Sequence, residues 1–178
     1  MSALVDYEIA RWAQGGAVTP FDPALVNPAS LNLRVGTTAK IEVRDRGFMD
    51  LDLGAYSKDM PYLVPPGGWI LTDCMESIRL ASDMEGTVVL RSSAARRGWD
   101  HAMAGFVDPG YGMGTPNGSK LTLEFVNCLK YQFLPIYPGI QLVQLRINML
   151  QTTPRRPYHL TGRYNNATQV EGCKDPTL

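Results

Sequence analysis

The chain has 178 residues, with 17 Lys+Arg balanced by 17 Asp+Glu. That length suits one domain with a real core, and the charge balance offers no basic field to attract nucleic acid. No run approaches the roughly 18 apolar residues of a membrane span, and the start, with Asp6, Glu8 and Arg11, lacks the apolar stretch of a secretory leader.

In chain order, "DYEIARWAQGG" predicts a helix. Asp6 caps it, Ile9, Trp12 and Ala13 share a face, and Gly15-Gly16 stop it. Short strands follow. "SLNLRVG" alternates Leu31, Leu33 and Val35, and "KIEV" alternates Ile41 and Val43. "GWILTDC", "TVVLRSS", "KLTLEFVN", "FLPIYPG" and "IQLVQLRINML" are further strands, separated by turn sequences such as PPGG, DPGY and YPG. The spacing predicts an all-β sandwich or barrel over residues 1–151. Residues 152–178 turn polar and predict an extended, partly mobile tail. Cys74, Cys128 and Cys173 are odd in number and form no C-x-x-C pair, which argues against a disulfide framework or zinc knuckle and suits a reducing cytoplasm.

Three segments carry possible chemistry. In "LRSSAARRGW", Ser92 is placed to cap a short helix, one turn from Arg96 on the same face. Hydroxyls, free N–H groups and a guanidinium suit a phosphate; the plainer alternative is an ordinary cap with Arg96 and Arg97 solvated. In "AGFVDPGYG", Pro109-Gly110 favours a type II turn that projects Asp108 and Tyr111, either to hold a sugar or simply to turn the chain. In "KLTLEFVN", Leu121, Leu123 and Phe125 take one face and Thr122, Glu124 and Val126 the other. A partly desolvated Glu124 would have a raised pKa suited to proton transfer; on a wet face it would be an ordinary surface carboxylate.

Taken in order, these segments resemble the dCTP deaminase branch of the dUTPase-like superfamily. The match is carried by "ASLNLRVG" (29–36) and "ESIRLASD" (76–83), and by Arg91, Ser92, Ser93, Ala95, Arg96 and Gly98. It continues with His101, Ala104, Gly105, Asp108, Pro109, Gly110 and Tyr111, then Leu123, Glu124, Phe125 and Asn127, then "PIYPGIQLVQL" with Gln144. The resemblance implies a homotrimer of distorted β-barrels with active sites between subunits. It implies hydrolytic loss of the cytosine 4-amino group from dCTP, giving dUTP and ammonia, with Mg²⁺ carried on the triphosphate and no zinc. Independently, the H-x-E and P-C-x-x-C signature of zinc deaminases does not occur here.

By the same resemblance Glu124 moves the protons, while Ser92 and Arg96 hold the water and polarise the site. Arg91 and Ser93 assist at the phosphates or the subunit contact, and Ala104 belongs to the nucleotide-binding set. Asp108 accepts from the 3′-hydroxyl and Tyr111 packs near C2′. Gln144 and, in the tail, Tyr158, Arg163 and Gln169 approach the triphosphate as the tail closes over it. Some positions depart from the pattern. Asn32 replaces the usual Asp, and Phe106 looks like the bifunctional members that continue to dUMP. "GMGTPNGSK" makes the loop before Glu124 about six residues longer than the family's. Gln169 is spaced more widely from the tail's basic residue. Because Asp108 is already the expected sugar ligand and the tail spacing departs, dUTP is the expected main product. The rival readings are a bifunctional enzyme, a deaminase of 5-substituted dCTP, a plain dUTPase, and a non-catalytic nucleotide-binding regulator.

Overall fold

A computed structural model describes residues 2–101 and 104–177. Its strands are β1 (Ser2–Ala3), β2 (Val18–Thr19), β3 (Val26–Asn27), β4 (Ser30–Val43), β5 (Gly47–Asp52), β6 (Tyr62–Val64) and β7 (Trp69–Ile78). They continue with β8 (Met84–Leu90), β9 (Trp99–His101), β10 (Phe106–Val107), β11 (Ser119–Asn127), β12 (Leu134–Ile136) and β13 (Gln141–Met149). Among the described residues the α-helices are α1 (Asp6–Trp12), α2 (Ser92–Ala95) and α3 (Tyr158–Thr161), all short. The main sheet runs β10-β8-β13-β4-β7-β11-β9 and curls into a half-barrel, while β6 and β12 pair separately. The mainly-β, barrel-like expectation therefore holds.

"SLNLRVG" and "KIEV" form one long strand. The first half of β4 pairs with β13, the second half with β5 and β7, and the register shifts between Val35 and Ala39. A bulge of this kind bends a strand and lets it pass from one side of a barrel to the other. Buried Asp73 fills the bend. Its Oδ1 accepts from the Thr38 N–H at 2.8 Å and its Oδ2 from Lys120 Nζ at 2.5 Å. A Cβ on Gly36 would lie 2.4 Å from that carboxylate, so only glycine fits. Glu76, equally buried, accepts from the N–H and the Nε of Arg34. Two carboxylates inside a β core are tolerable because each is paired and hydrogen-bonded.

The alternating apolar positions meet in the middle: Leu31, Leu33, Ile70, Phe125 and Leu145 are fully buried, and Ile9 of α1 packs among them. At α1 the cap is not Asp6. Val5 takes that position and Glu8 reaches back to accept its N–H at 3.0 Å, while Asp6 is the first helical residue. At α2 the cap is not Ser92 but Arg91. The Arg91 N–H donates to the Leu142 carbonyl at 2.8 Å, and its guanidinium to the carbonyl and Oε1 of Gln141, both at 3.1 Å. β13 thus holds Arg91 extended just outside the helix, which starts at Ser92, one residue earlier than a Ser92 cap would have it. Asn32, in place of the usual Asp, donates Nδ2 to the same Gln141 Oε1 at 3.0 Å, a bond a carboxylate could not make.

The tail does not extend away from the barrel. The Tyr158 N–H donates to the Pro109 carbonyl at 2.8 Å, and the Lys120 N–H to the Ala167 carbonyl at 2.8 Å. Further on, the Val170 N–H donates to Thr38 Oγ1 at 2.9 Å and the Glu171 N–H to Thr122 Oγ1 at 3.3 Å. Ala167 and Val170 are buried. The polar composition hides these two apolar anchors and the backbone groups that dock the segment.

Candidate active site

The alternation in β11 sends Leu121, Leu123 and Phe125 into the core and leaves Lys120, Thr122 and Glu124 on the opposite face. Register then aligns a row across three strands, with Lys40 of β4 beside Leu71 of β7 and Leu71 beside Glu124. Over this row opens a cavity of about 700 Å³, walled by Trp69, Leu71, Phe106, Asp108, Tyr111 and Tyr158 among others. Tail residues Tyr164, Ala167 and Glu171 also line it.

Glu124 is half-buried, and this desolvation raises its carboxyl above the ordinary glutamate range; the Ala104 N–H, donating to Oε2 at 3.3 Å, pulls it part of the way back. A carboxylate held so can take a proton from water and return it within one catalytic cycle.

The "DPGY" turn forms as expected: the Tyr111 N–H donates to the Asp108 carbonyl at 3.1 Å, and Gly110 has φ 87°. Asp108 lies at the junction of the main cavity and a smaller one of about 340 Å³ lined by Thr152, Arg156 and Thr161. Tyr111 is buried, and its hydroxyl donates to the Lys120 carbonyl at 2.7 Å. Its ring centroid lies 5.4 Å from that of Tyr158. Burial pushes the hydroxyls of both tyrosines up, so neither is an acid near neutral pH. The tail seats on this turn. Gly110→Ala would put a Cβ 2.8 Å from His159 Nδ1 and 3.0 Å from Pro157 Cβ. It would also impose a left-handed backbone on an L-residue, at roughly 1–2 kcal/mol. A lowered Tm is the expected result; an unchanged Tm would mean that the tail does not rest there.

Glu124, Ala104, Asp108, Tyr111 and Tyr158 thus meet at one cavity. The others lie elsewhere in the single chain. Ser92, Ser93 and Arg96 are exposed and do not line it. Arg91 is engaged with Gln141, and Gln144 Oε1 accepts from Ser30 Oγ at 2.9 Å. Arg163 pairs with Asp175 at 2.5 Å, and Gln169 is exposed. Sequence reasoning missed Lys40, Trp69, Leu71 and Lys120 as wall residues. Lys40 and Lys120 sit out of phase with their apolar neighbours, but only register shows that those phases face one cavity.

The curled sheet and its long shared strand define a dUTPase-like fold. A crystal structure of 2′-deoxycytidine 5′-triphosphate deaminase from Agrobacterium tumefaciens is similar, with TM-score 0.67 and 22% identity, over 83% of this chain and 49% of that one. The chain therefore spans about half the length of that protein. A dUTPase from Streptococcus mutans is similar with TM-score 0.50 and 15% identity, over 75% of this chain and 92% of that one. A family model described as dCTP deaminase-like matches residues 3–150, and the chain belongs to that family. A relative from Salinispora arenicola, named "dCTP deaminase, dUMP-forming", is 28% identical over 98% of this chain and 92% of its own length. One of the same name from Mycobacterium avium is 28% identical over 90% and 84%.

Proposed function

We propose that this chain removes the 4-amino group of dCTP by hydrolysis. The observation that carries the reading is Glu124, a desolvated carboxylate on the wall of a largely apolar cavity, anchored by the Ala104 N–H. Glu124 takes a proton from water as the oxygen attacks C4 and delivers it to N3. It then takes the second proton from the new C4 hydroxyl and passes it to the 4-amino group, which leaves as ammonia as the C4 carbonyl forms. Asp108 accepts from the sugar hydroxyl, and Tyr111, held rigid by its bond to Lys120, closes the space near C2′.

Ser92, Ser93 and Arg96 serve a Glu124 cavity only when another copy presents them. The homotrimer with sites between subunits, implied by the family resemblance, is the arrangement in which they do. Its mass would be three times the 19.6 kDa chain. Mg²⁺ belongs to the substrate here, riding on the triphosphate. Among the described residues no group of three or more His, Cys, Asp or Glu is placed to hold a metal. A zinc chelator should therefore leave turnover intact when Mg²⁺ is supplied; activity lost to the chelator and restored by zinc would refute a metal-free protein site. All three cysteines are free, in keeping with a reducing, cytoplasmic setting.

Two readings of the product compete. Hydrolysis at the α-phosphate would need Asp108 to activate a second water while it also holds the sugar, and this double demand favours a stop at dUTP. The names of the relatives, "dUMP-forming", favour continued hydrolysis to dUMP and pyrophosphate. The deciding experiment incubates dCTP with the protein and follows ammonia and pyrophosphate together. Ammonia alone makes the product dUTP, and equal release from the first turnovers makes it dUMP. Absence of ammonia refutes the deaminase reading, and pyrophosphate from dUTP with none from dCTP would assign a dUTPase. A parallel reaction with 5-methyl-dCTP, read by ammonia release, decides between plain and 5-substituted cytosine.

A further inference from the structure

The long loop before β11 has no part in the chemistry above, yet it is firmly built. At its two ends Gly112 (φ 72°) and Gly118 (φ 77°) press against the end of β7: a Cβ would fall 1.9 Å and 2.7 Å, respectively, from the Ile78 carbonyl oxygen. Between them Thr115 Oγ1 donates to the Gly118 carbonyl at 2.7 Å, and Arg79 Nη1 to the Pro116 carbonyl at 3.3 Å. The loop thus delivers Ser119, fully buried, to a fixed place, where its hydroxyl donates to the backbone carbonyl of Asn165 in the C-terminal segment.

Asn165 turns that anchor toward the cavity. Its Nδ2 donates to the Tyr158 carbonyl at 3.0 Å and to the Gly162 carbonyl at 2.9 Å, so one amide staples both ends of α3. The adjoining Tyr164 N–H donates to the Tyr158 hydroxyl at 3.2 Å. A Cβ on Gly162 would lie 2.2 Å from the Tyr158 ring, which shows how closely the segment wraps it. Tyr158 and Tyr164 line the cavity; Asn165 and Ser119 do not.

We infer that the 112–118 loop and Ser119 anchor the C-terminal segment, and that Asn165 is the positioning residue through which this anchor holds the Tyr158 wall of the nucleotide cavity. The second half of this inference rests on the reading of that cavity as a nucleotide site. A carboxylate of the same shape cannot donate to two carbonyls. Asn165→Asp should therefore behave like Asn165→Ala, although it fills the same space.

The test uses the full chain and two readouts. In limited trypsin digestion, cleavage at exposed Arg163 should quicken about tenfold in both variants, as expected for one or two lost hydrogen bonds, with little change in the Tm of the barrel. With dCTP, KM should rise about tenfold while kcat stays within about twofold, because binding is lost and the acid–base group is untouched. Parent-like cleavage in both variants overturns the role of the Asn165 amide. Faster cleavage with an unchanged KM overturns the positioning role. A parent protein that turns over no dCTP refutes the proposed function instead, and nucleotide affinity measured by calorimetry then replaces KM as the readout for the wall. Ser119→Ala, which removes the anchoring bond itself, should reproduce the faster cleavage, and parent-like cleavage there would overturn the anchor.

Discussion

Glu124→Gln is expected to lose deamination by at least about 10²-fold while keeping its nucleotide, because the amide preserves shape and cannot carry protons. The loss should appear in kcat, with KM or calorimetric affinity nearly unchanged. Burial raises the Glu124 carboxyl, so the folded chain favours its protonated form. The stability this group contributes is full below the unfolded-state value and is lost as pH rises through the folded-state value. At neutral pH its ionised form is therefore a cost to folding, and the amide removes that cost. The variant should be at least as stable as the parent at neutral pH, with the advantage fading in acid. An inactive variant that is also less stable would place Glu124 among the structural residues, and near-parental turnover would end its assignment as the base.

Arg96→Ala should be equally damaging, although Arg96 is exposed and away from the cavity of its own chain. If a neighbouring copy uses it, two inactive variants can rescue each other. Glu124→Gln chains keep Arg96 and Arg96→Ala chains keep Glu124. Co-folding equal amounts lets one interface in four combine an intact Glu124 with an intact Arg96, for about a quarter of the parent's activity. The planar guanidinium is hard to replace, so Arg96→Lys should recover little. Full activity of Arg96→Ala alone would return the whole "RSSAARRG" stretch to a solvated helix end. Loss without rescue would place Glu124 and Arg96 in the same subunit's site.

The strands were legible because their signals are local. Leu31, Leu33, Val35, Leu121, Leu123 and Phe125 alternate with a period of two and all are buried. The "DPGY" turn was legible because Pro and Gly fix their own backbone angles. What escaped notice depended on partners distant in the chain. Arg91 caps α2 because Gln141 and Leu142 draw it there, and nothing near Arg91 announces this. The union of two predicted strands into β4 depends on Asp73 filling the bend at Gly36. In the tail, polar composition masked a segment held by Ser119, Thr38 and Thr122. At the site, Glu124 was readable from its phase in β11, whereas the cavity around it required the Lys40–Leu71–Glu124 register.

β13 lies between β4 and β8, with β1 beside its far end. During synthesis, β4 and β8 emerge long before the strand that joins them. Until Gln141–Met149 has been made, each offers an unpaired edge of backbone donors and acceptors, the kind of surface on which strands of other chains add. Loop closure across more than a hundred residues, from β4 to β13, must precede the pairing that rewards it. The barrel is thus completed by its last described strand. A nascent chain halted before β13 would be an aggregation hazard, and translation speed through that region becomes a determinant of soluble yield.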